Sequence, residues 1–188
     1  MNLKMVKFLQ YILCFGLIAI FFSFDVPKGW FIAGDKASSY YMGIAKGEGR
    51  NKGTCAVIKS LTKKINGFGT LMQSSRPKEY IGKRLKMTGY VKSKDVQKWA
   101  GMFLRADVGE VTVSIDDMEE RPIKGETDWK KYEIVIDVPP NSSRIAYGIL
   151  MFGPGQVWLD DFSFEVVSEN VPVTSTIHPA PVNLNFEE

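Results

Sequence analysis

Past residue 30 the chain alternates between apolar and polar positions. In "RLKMTGYVK" (84–92), Leu85, Met87, Gly89 and Val91 fall on one side, and Arg84, Lys86, Thr88 and Lys92 on the other. "KYEIVIDVP" (131–139) sets Tyr132, Ile134, Ile136 and Val138 against Glu133 and Asp137. "EVTVSID" (110–116) sets Val111, Val113 and Ile115 against Thr112, Ser114 and Asp116. A period of two is the signature of half-buried antiparallel strands. "IAYGILMFG" (145–153) is apolar on both sides, which predicts a central strand covered from both faces. Residues 54–60, 67–75 and 100–107 read as further strands, and 76–82 as a short connecting helix. Glycine, proline and asparagine turns at 47–53, 65–69, 137–143 and 153–155 separate them. The pattern predicts an all-β fold, an antiparallel jelly-roll β-sandwich of about eight strands.

The start of the chain is different. Lys4 and Lys7 precede Phe8 to Phe24, a run without a charged residue. A basic start followed by an apolar run suits an export signal. It lacks a small-residue cleavage site and falls slightly short of the roughly 20 residues that span a bilayer. A cleaved signal peptide and an uncleaved membrane anchor both fit 1–24. Either implies a secreted or membrane-anchored, extracytoplasmic protein that meets the membrane only through this segment. The predicted domain is then 25–168, followed by a Pro-rich tail over 169–188.

Composition narrows the function. Of 188 residues, 24 are Lys or Arg and 21 are Asp or Glu, a net charge of +3. Losing Lys4 and Lys7 with the leader would leave +3 minus 2, or +1. Such a balance carries no footprint for nucleic acid. Two cysteines give no disulfide framework, and Cys55 reads as a small buried apolar residue. The single histidine, His178, lies in the tail. With no nucleophile elbow, histidine-based triad or phosphate loop, no enzyme chemistry is expected and no cofactor is implied. "GEGRNKG" (47–53) reads as a hairpin turn.

The strands match something known. "DWKKYEIVIDVPPNSSRIAYGILMFGPGQVWLDDFSFEVV" (128–167), with its Trp before a strand, "VPPNSS" turn and closing "VWLDDFSFE", resembles the C-terminal half of carbohydrate-binding jelly rolls of the galactose-binding-like superfamily. "GWFIAG" (29–34), "GFGTLMQ" (67–73), "MTGYVKS" (87–93) and "GMFLRAD" (101–107) fit its earlier strands. It is also similar to bacterial proteins loosely labelled transcriptional regulators, although nothing in the chain reads as a helix-turn-helix. Domains of this type often open with a strand like "NLNFEE", found here at 183–188. The resemblance therefore implies that the tail folds back as an edge strand; a disordered terminus is the alternative.

The resemblance also bears on Asp160 and Asp161. Simple alternation puts Asp160 beside Trp158, Phe162 and Phe164 on the buried side, where a carboxylate must be paired, hydrogen-bonded or metal-bound. The family implies a structural calcium held through Asp160; acceptance of backbone N–H groups near "GWF" is the alternative. The two neighbours point to opposite faces, so they cannot straddle a substrate as a glycosidase pair. For a sugar ligand, Trp99 offers a stacking platform, with Gln73, Arg105, Asp107 and Asp116 as polar partners. A structural salt bridge of Arg105 with Asp107 or Asp116 is the competing reading. Trp30, Trp129 and Trp158 are expected in core or edge packing. The expected protein is a non-catalytic binding domain, a monomer, with carbohydrate as ligand or a surface protein as partner.

Overall fold

The computed structural model describes residues 25–175. The leader (1–24), His178 and the 183–188 stretch lie outside the described residues. Nine strands follow one another: β1 (Phe31–Ala33), β2 (Tyr40–Lys46), β3 (Thr54–Ser60), β4 (Phe68–Ser75), β5 (Lys83–Val108), β6 (Val111–Asp116), β7 (Ile123–Val138), β8 (Arg144–Phe152) and β9 (Gln156–Val167). The helical segments among the described residues are two three-residue 3-10 turns, Ala37–Ser39 and Lys78–Tyr80. None is long and apolar enough to cross a membrane.

The expected jelly roll is present, with one change of connectivity. The segments 84–92 and 100–107, read from sequence as separate strands, are the two halves of the 26-residue β5. Its first half pairs with β9 and β7, and its second half with β8 and β6, all antiparallel. The layers are therefore β2-β3-β9-β5-β7 and β1-β4-β8-β5-β6, joined through the bend in β5. The bend lies between Ser93 and Ala100, where the register with β7 shifts repeatedly and Asp95 adopts φ 53°. Gly155 has to be glycine here: at φ 150°, a Cβ would come within 2.8 Å of the Val96 Cα.

The core fills from the alternating positions. Leu85, Met87 and Val91 of β5, Ile134 and Ile136 of β7, and Ile145, Ile149 and Met151 of β8 meet between the layers with Met102, Leu104 and Ile58. Each such side chain contributes about 1.5–3 kcal/mol through burial. The expectation for 145–153 holds: β8 is flanked by β4 and β5. Its inward residues join the main core, and its outward Ala146 and Leu150 join Met72 and Phe103 in a small, largely buried apolar cluster on the other face of the second layer.

Two strands break the simple alternation. Tyr90 pairs with Asp160 but Thr88 with Ser163, so Gly89 stands opposite both Asp161 and Phe162. Asp161, at φ 53°, is the bulged residue. The bulge keeps Asp160 outside beside Trp158 and turns Phe162 and Phe164 inward to the core, which corrects the expectation that these four share a face. In β6, Thr112 pairs with Asp107 but Ser114 with Ala106. Thr112 thus faces outward while Ser114 and Asp116 face inward, so Asp116 does not continue an outer polar face.

Two measurements test this packing. A Cβ on Gly89 would lie 2.7 Å from the Phe162 ring and 2.8 Å from the Met102 sulfur. Gly89→Ala should destabilise the domain by about 1–3 kcal/mol in urea denaturation, the cost of overpacking. Burial pushes the Cys55 thiol up to about 11, with the Asp160 and Glu48 carboxylates adding to the effect. The folded state thus favours the neutral thiol. Its contribution to stability is complete below the ordinary thiol pKa near 9 and is lost as pH rises towards 11. Alkaline denaturation of Cys55→Ser should show a shallower loss across that window.

Candidate functional site

Asp160 and Asp161 answer a structural need. Asp160 Oδ2 accepts the Arg50 backbone N–H at 3.0 Å, and its Oδ1 accepts the Asp161 N–H at 2.9 Å. Asp161 forms an ion pair with the Arg50 guanidinium, which lies over the Tyr90 ring, 3.3 Å from its centroid. Glu48 accepts the Trp158 indole N–H at 2.6 Å. Together these contacts pin the 47–53 hairpin turn to the outside of the first layer. The backbone donor that Asp160 receives comes from this turn, not from the "GWF" segment.

These residues do not fit a calcium ion. Calcium takes six to eight oxygens, whereas both Asp160 oxygens accept N–H donors and a guanidinium occupies Asp161. No three His, Cys, Asp or Glu side chains cluster in a metal-binding arrangement among the described residues.

The five ligand residues expected from sequence do not converge. Gln73 faces inward and its Oε1 accepts the Tyr147 hydroxyl. That pair sits beside the ring cluster of Tyr147, Trp30, Phe162 and Phe164. Asp116 is 5% exposed at the opposite edge of the same layer. It accepts both Arg121 terminal nitrogens, at 2.9 and 2.7 Å, and the Thr174 hydroxyl. Thr174 in turn bonds both polar backbone groups of Val135, so this network fastens the start of the tail across the β6–β7 edge. Asp107 faces outward but is 1% exposed, held by Thr112 Oγ1 and Arg144 Nε at 2.9 Å each. Arg105 Nε lies 3.4 Å from it, the salt bridge that competed with a ligand role. Trp99 and Arg105 share the outward side of β5 but stand six residues apart, roughly 20 Å at strand spacing.

The surface holds a different gathering of polar groups at the bend of β5. Lys59, Gln156 and Lys94 occupy adjacent strands in one register row on the outer face of the first layer. With Ser60, Thr62, Lys63 and Gln97 they line an open cleft of about 320 Å³. Its walls are fixed by backbone bonds: Ser60 N–H to Gly155 O at 2.9 Å and Gln97 N–H to Pro154 O at 3.0 Å. Trp99, two residues beyond Gln97, pairs with Phe152 of β8 and does not line the cleft. Trp158, with the Lys92 ammonium 5.5 Å from its ring, lies in the next row. Sequence reasoning placed Lys92 on an outward face. It missed the cleft, because Lys59, Lys94 and Gln156 come from three strands and only their pairing brings them together. A larger cavity of about 350 Å³ between β6 and β7 is lined mainly by edge residues such as Val113, Ile136, Pro139 and Val173, with Asp137 its one charged residue.

No protein-family model matches the chain. It is 39% identical over 168 residues to a Bacillus subtilis (strain 168) protein described as the uncharacterized HTH-type transcriptional regulator YbfP. The match covers 86% of this chain and 57% of that protein, so the chain spans little more than half the length of this relative. Among solved structures, the first family 22 carbohydrate-binding module of xylanase Xyn10C from Paenibacillus barcinonensis superposes with a TM-score of 0.54 at 14% identity, over 77% of this chain and 90% of that one. A Clostridium thermocellum xylanase 10B fragment that includes such a module gives 0.55 at 14% identity, over 77% of this chain and 28% of that one. The enzymatically active domain of tailspike protein 4 from bacteriophage CBA120 gives 0.56 at 12% identity, over 77% and 20%. The fold is thus the jelly roll of carbohydrate-binding modules, a framework that enzymatic proteins also use.

Asp160→Ala should leave the Arg50 and Asp161 N–H groups without an acceptor and lower stability by about 1–3 kcal/mol in chemical denaturation. Calcium or a chelator should move the Tm of the unaltered protein by less than about 1 °C, since no bound ion adds to the folded state.

Proposed function

We propose that this chain is a non-catalytic carbohydrate-binding domain, exported or held at the outer surface of a membrane by its N-terminal segment. The observation that carries the reading is the cleft at the bend of β5. The side-chain amides of Gln97 and Gln156 line it and make no hydrogen bond among the described residues. A sugar presents hydroxyls that bond amides and lysines, the groups such a surface offers. The carbohydrate-binding-module fold supports the same reading, though the function of a fold lies in its site. Non-catalysis is favoured by the burial of Asp107 and Asp116, whose oxygens are engaged by guanidinium and hydroxyl groups rather than presented to a substrate.

The alternative is a cell-surface structural or protein-interaction domain. It is favoured by Val111 and Val113, apolar side chains left exposed on β6 beside its cavity with β7, a surface of the kind proteins cover.

A glycan array with the full chain discriminates the two. Binding to a defined set of glycans, with affinity lowered about five- to tenfold in the double variant Gln97→Ala, Gln156→Ala, is the expected result. Silence on glycans together with capture of a protein that is lost when Val111 and Val113 are replaced would decide for the alternative.

A further inference from the structure

Cations on the outside of the first layer are, with few exceptions, committed. Arg84 pairs with Asp137 at 2.8 Å, Lys86 with Glu165 at 2.7 Å and Lys131 with Glu133 at 3.2 Å. Arg50 is held by Asp161 and Tyr90, and Lys92 lies against Trp158. Lys59, Lys63 and Lys94 are different. Each is exposed, and none has an ion pair, hydrogen bond or ring contact among the described residues. All three line the same cleft, where Asp95 is the one carboxylate. Three like charges around one opening repel each other and weaken the fold slightly, so packing does not account for their convergence.

We infer that the cleft takes an anionic glycan, a sugar or polyol polymer that carries a repeating carboxylate or phosphodiester. This rests on the carbohydrate-binding reading above and specifies its ligand class. The geometry fits the chemistry in two ways. Lysine ammoniums are mobile point charges on flexible stems, suited to anionic groups spaced along a chain rather than to one carboxylate gripped by a planar fork. Between Lys59 and Lys94, in the same row, stands Gln156, and Gln97 lies on the adjacent wall. Uncharged donors among the cations suit a ligand that alternates charge with hydroxyls.

The test uses the full chain in a solution binding assay against polygalacturonate, poly(glycerol phosphate), a neutral xylan and vesicles containing anionic lipid. Binding to one of the two anionic polymers is expected, weakened about fivefold or more in the double variant Lys59→Gln, Lys94→Gln. It should also weaken as salt rises from 0.05 to about 0.5 M. The two polymer arms separate carboxylate from phosphodiester recognition. Because the replaced side chains are exposed and unpaired, the double variant should keep the wild-type Tm. A tighter, salt-insensitive interaction with xylan that the double variant retains would overturn the anionic class and leave the carbohydrate reading standing. Equal binding to the anionic vesicles would also overturn it, by showing attraction to any negative surface. Binding to no polymer would overturn both.

Discussion

The structure depends on a single strand belonging to two layers. β5 runs from Lys83 to Val108 and pairs with β9 and β7 before its bend and with β8 and β6 after it. A strand that changes sheets cannot keep an even register, because backbone N–H and C=O groups aligned with one neighbour must realign with another. The cost is absorbed locally, in the left-handed Asp95, the shifts against β7 and the close approach of Gly155 to Val96. The buried series Leu85, Met87, Val91, then Val96, Ala100, Met102 and Leu104 continues through the bend, so one hydrophobic core serves both sheets. The same bend brings Lys94 and Gln97 to the outside in quick succession. The cleft is therefore a by-product of closing the sandwich, made rigid by the bonds that close it.

Charge is distributed by the same economy. Most carboxylates that sequence singled out serve the fold. Asp107 locks the β5–β6 corner to Arg144, Asp116 ties the start of the tail to the β6–β7 edge, and Asp160 with Asp161 pins the 47–53 turn. A buried carboxylate deprived of its partners would be strongly destabilising, so such groups are poor instruments for reversible binding. Gathered at one bend are groups the fold does not use, three lysines and two glutamines. That set favours reversible association with a hydroxylated, negatively charged polymer.

The similarity to the Bacillus subtilis protein covers 57% of that relative. The helix-turn-helix of its description has no counterpart among the described residues, whose helical segments are two 3-10 turns. The fold shared with carbohydrate-binding modules is also shared with a tailspike's enzymatic domain at similar TM-scores. Architecture alone thus leaves the function to the side chains at the bend.

Alternation along the chain was enough to determine the all-β class, the buried series of β5 and β7, the turn at 47–53 and the central position of β8. These depend on which residues avoid water, a property each segment carries by itself. Tertiary structure decided whatever depended on register. The fusion of two predicted strands into β5 required knowledge of where its partners lie. The bulge at Asp161, which sends Asp160 outward and Phe162 inward, arises because β9 must meet β5 with one residue to spare. The dispersal of Gln73, Trp99, Arg105, Asp107 and Asp116, and the convergence of Lys59, Lys94 and Gln156, follow from the same cause. Period-two patterning says that two residues lie on opposite sides of a strand. Only hydrogen bonding between strands says which residues of different strands stand side by side.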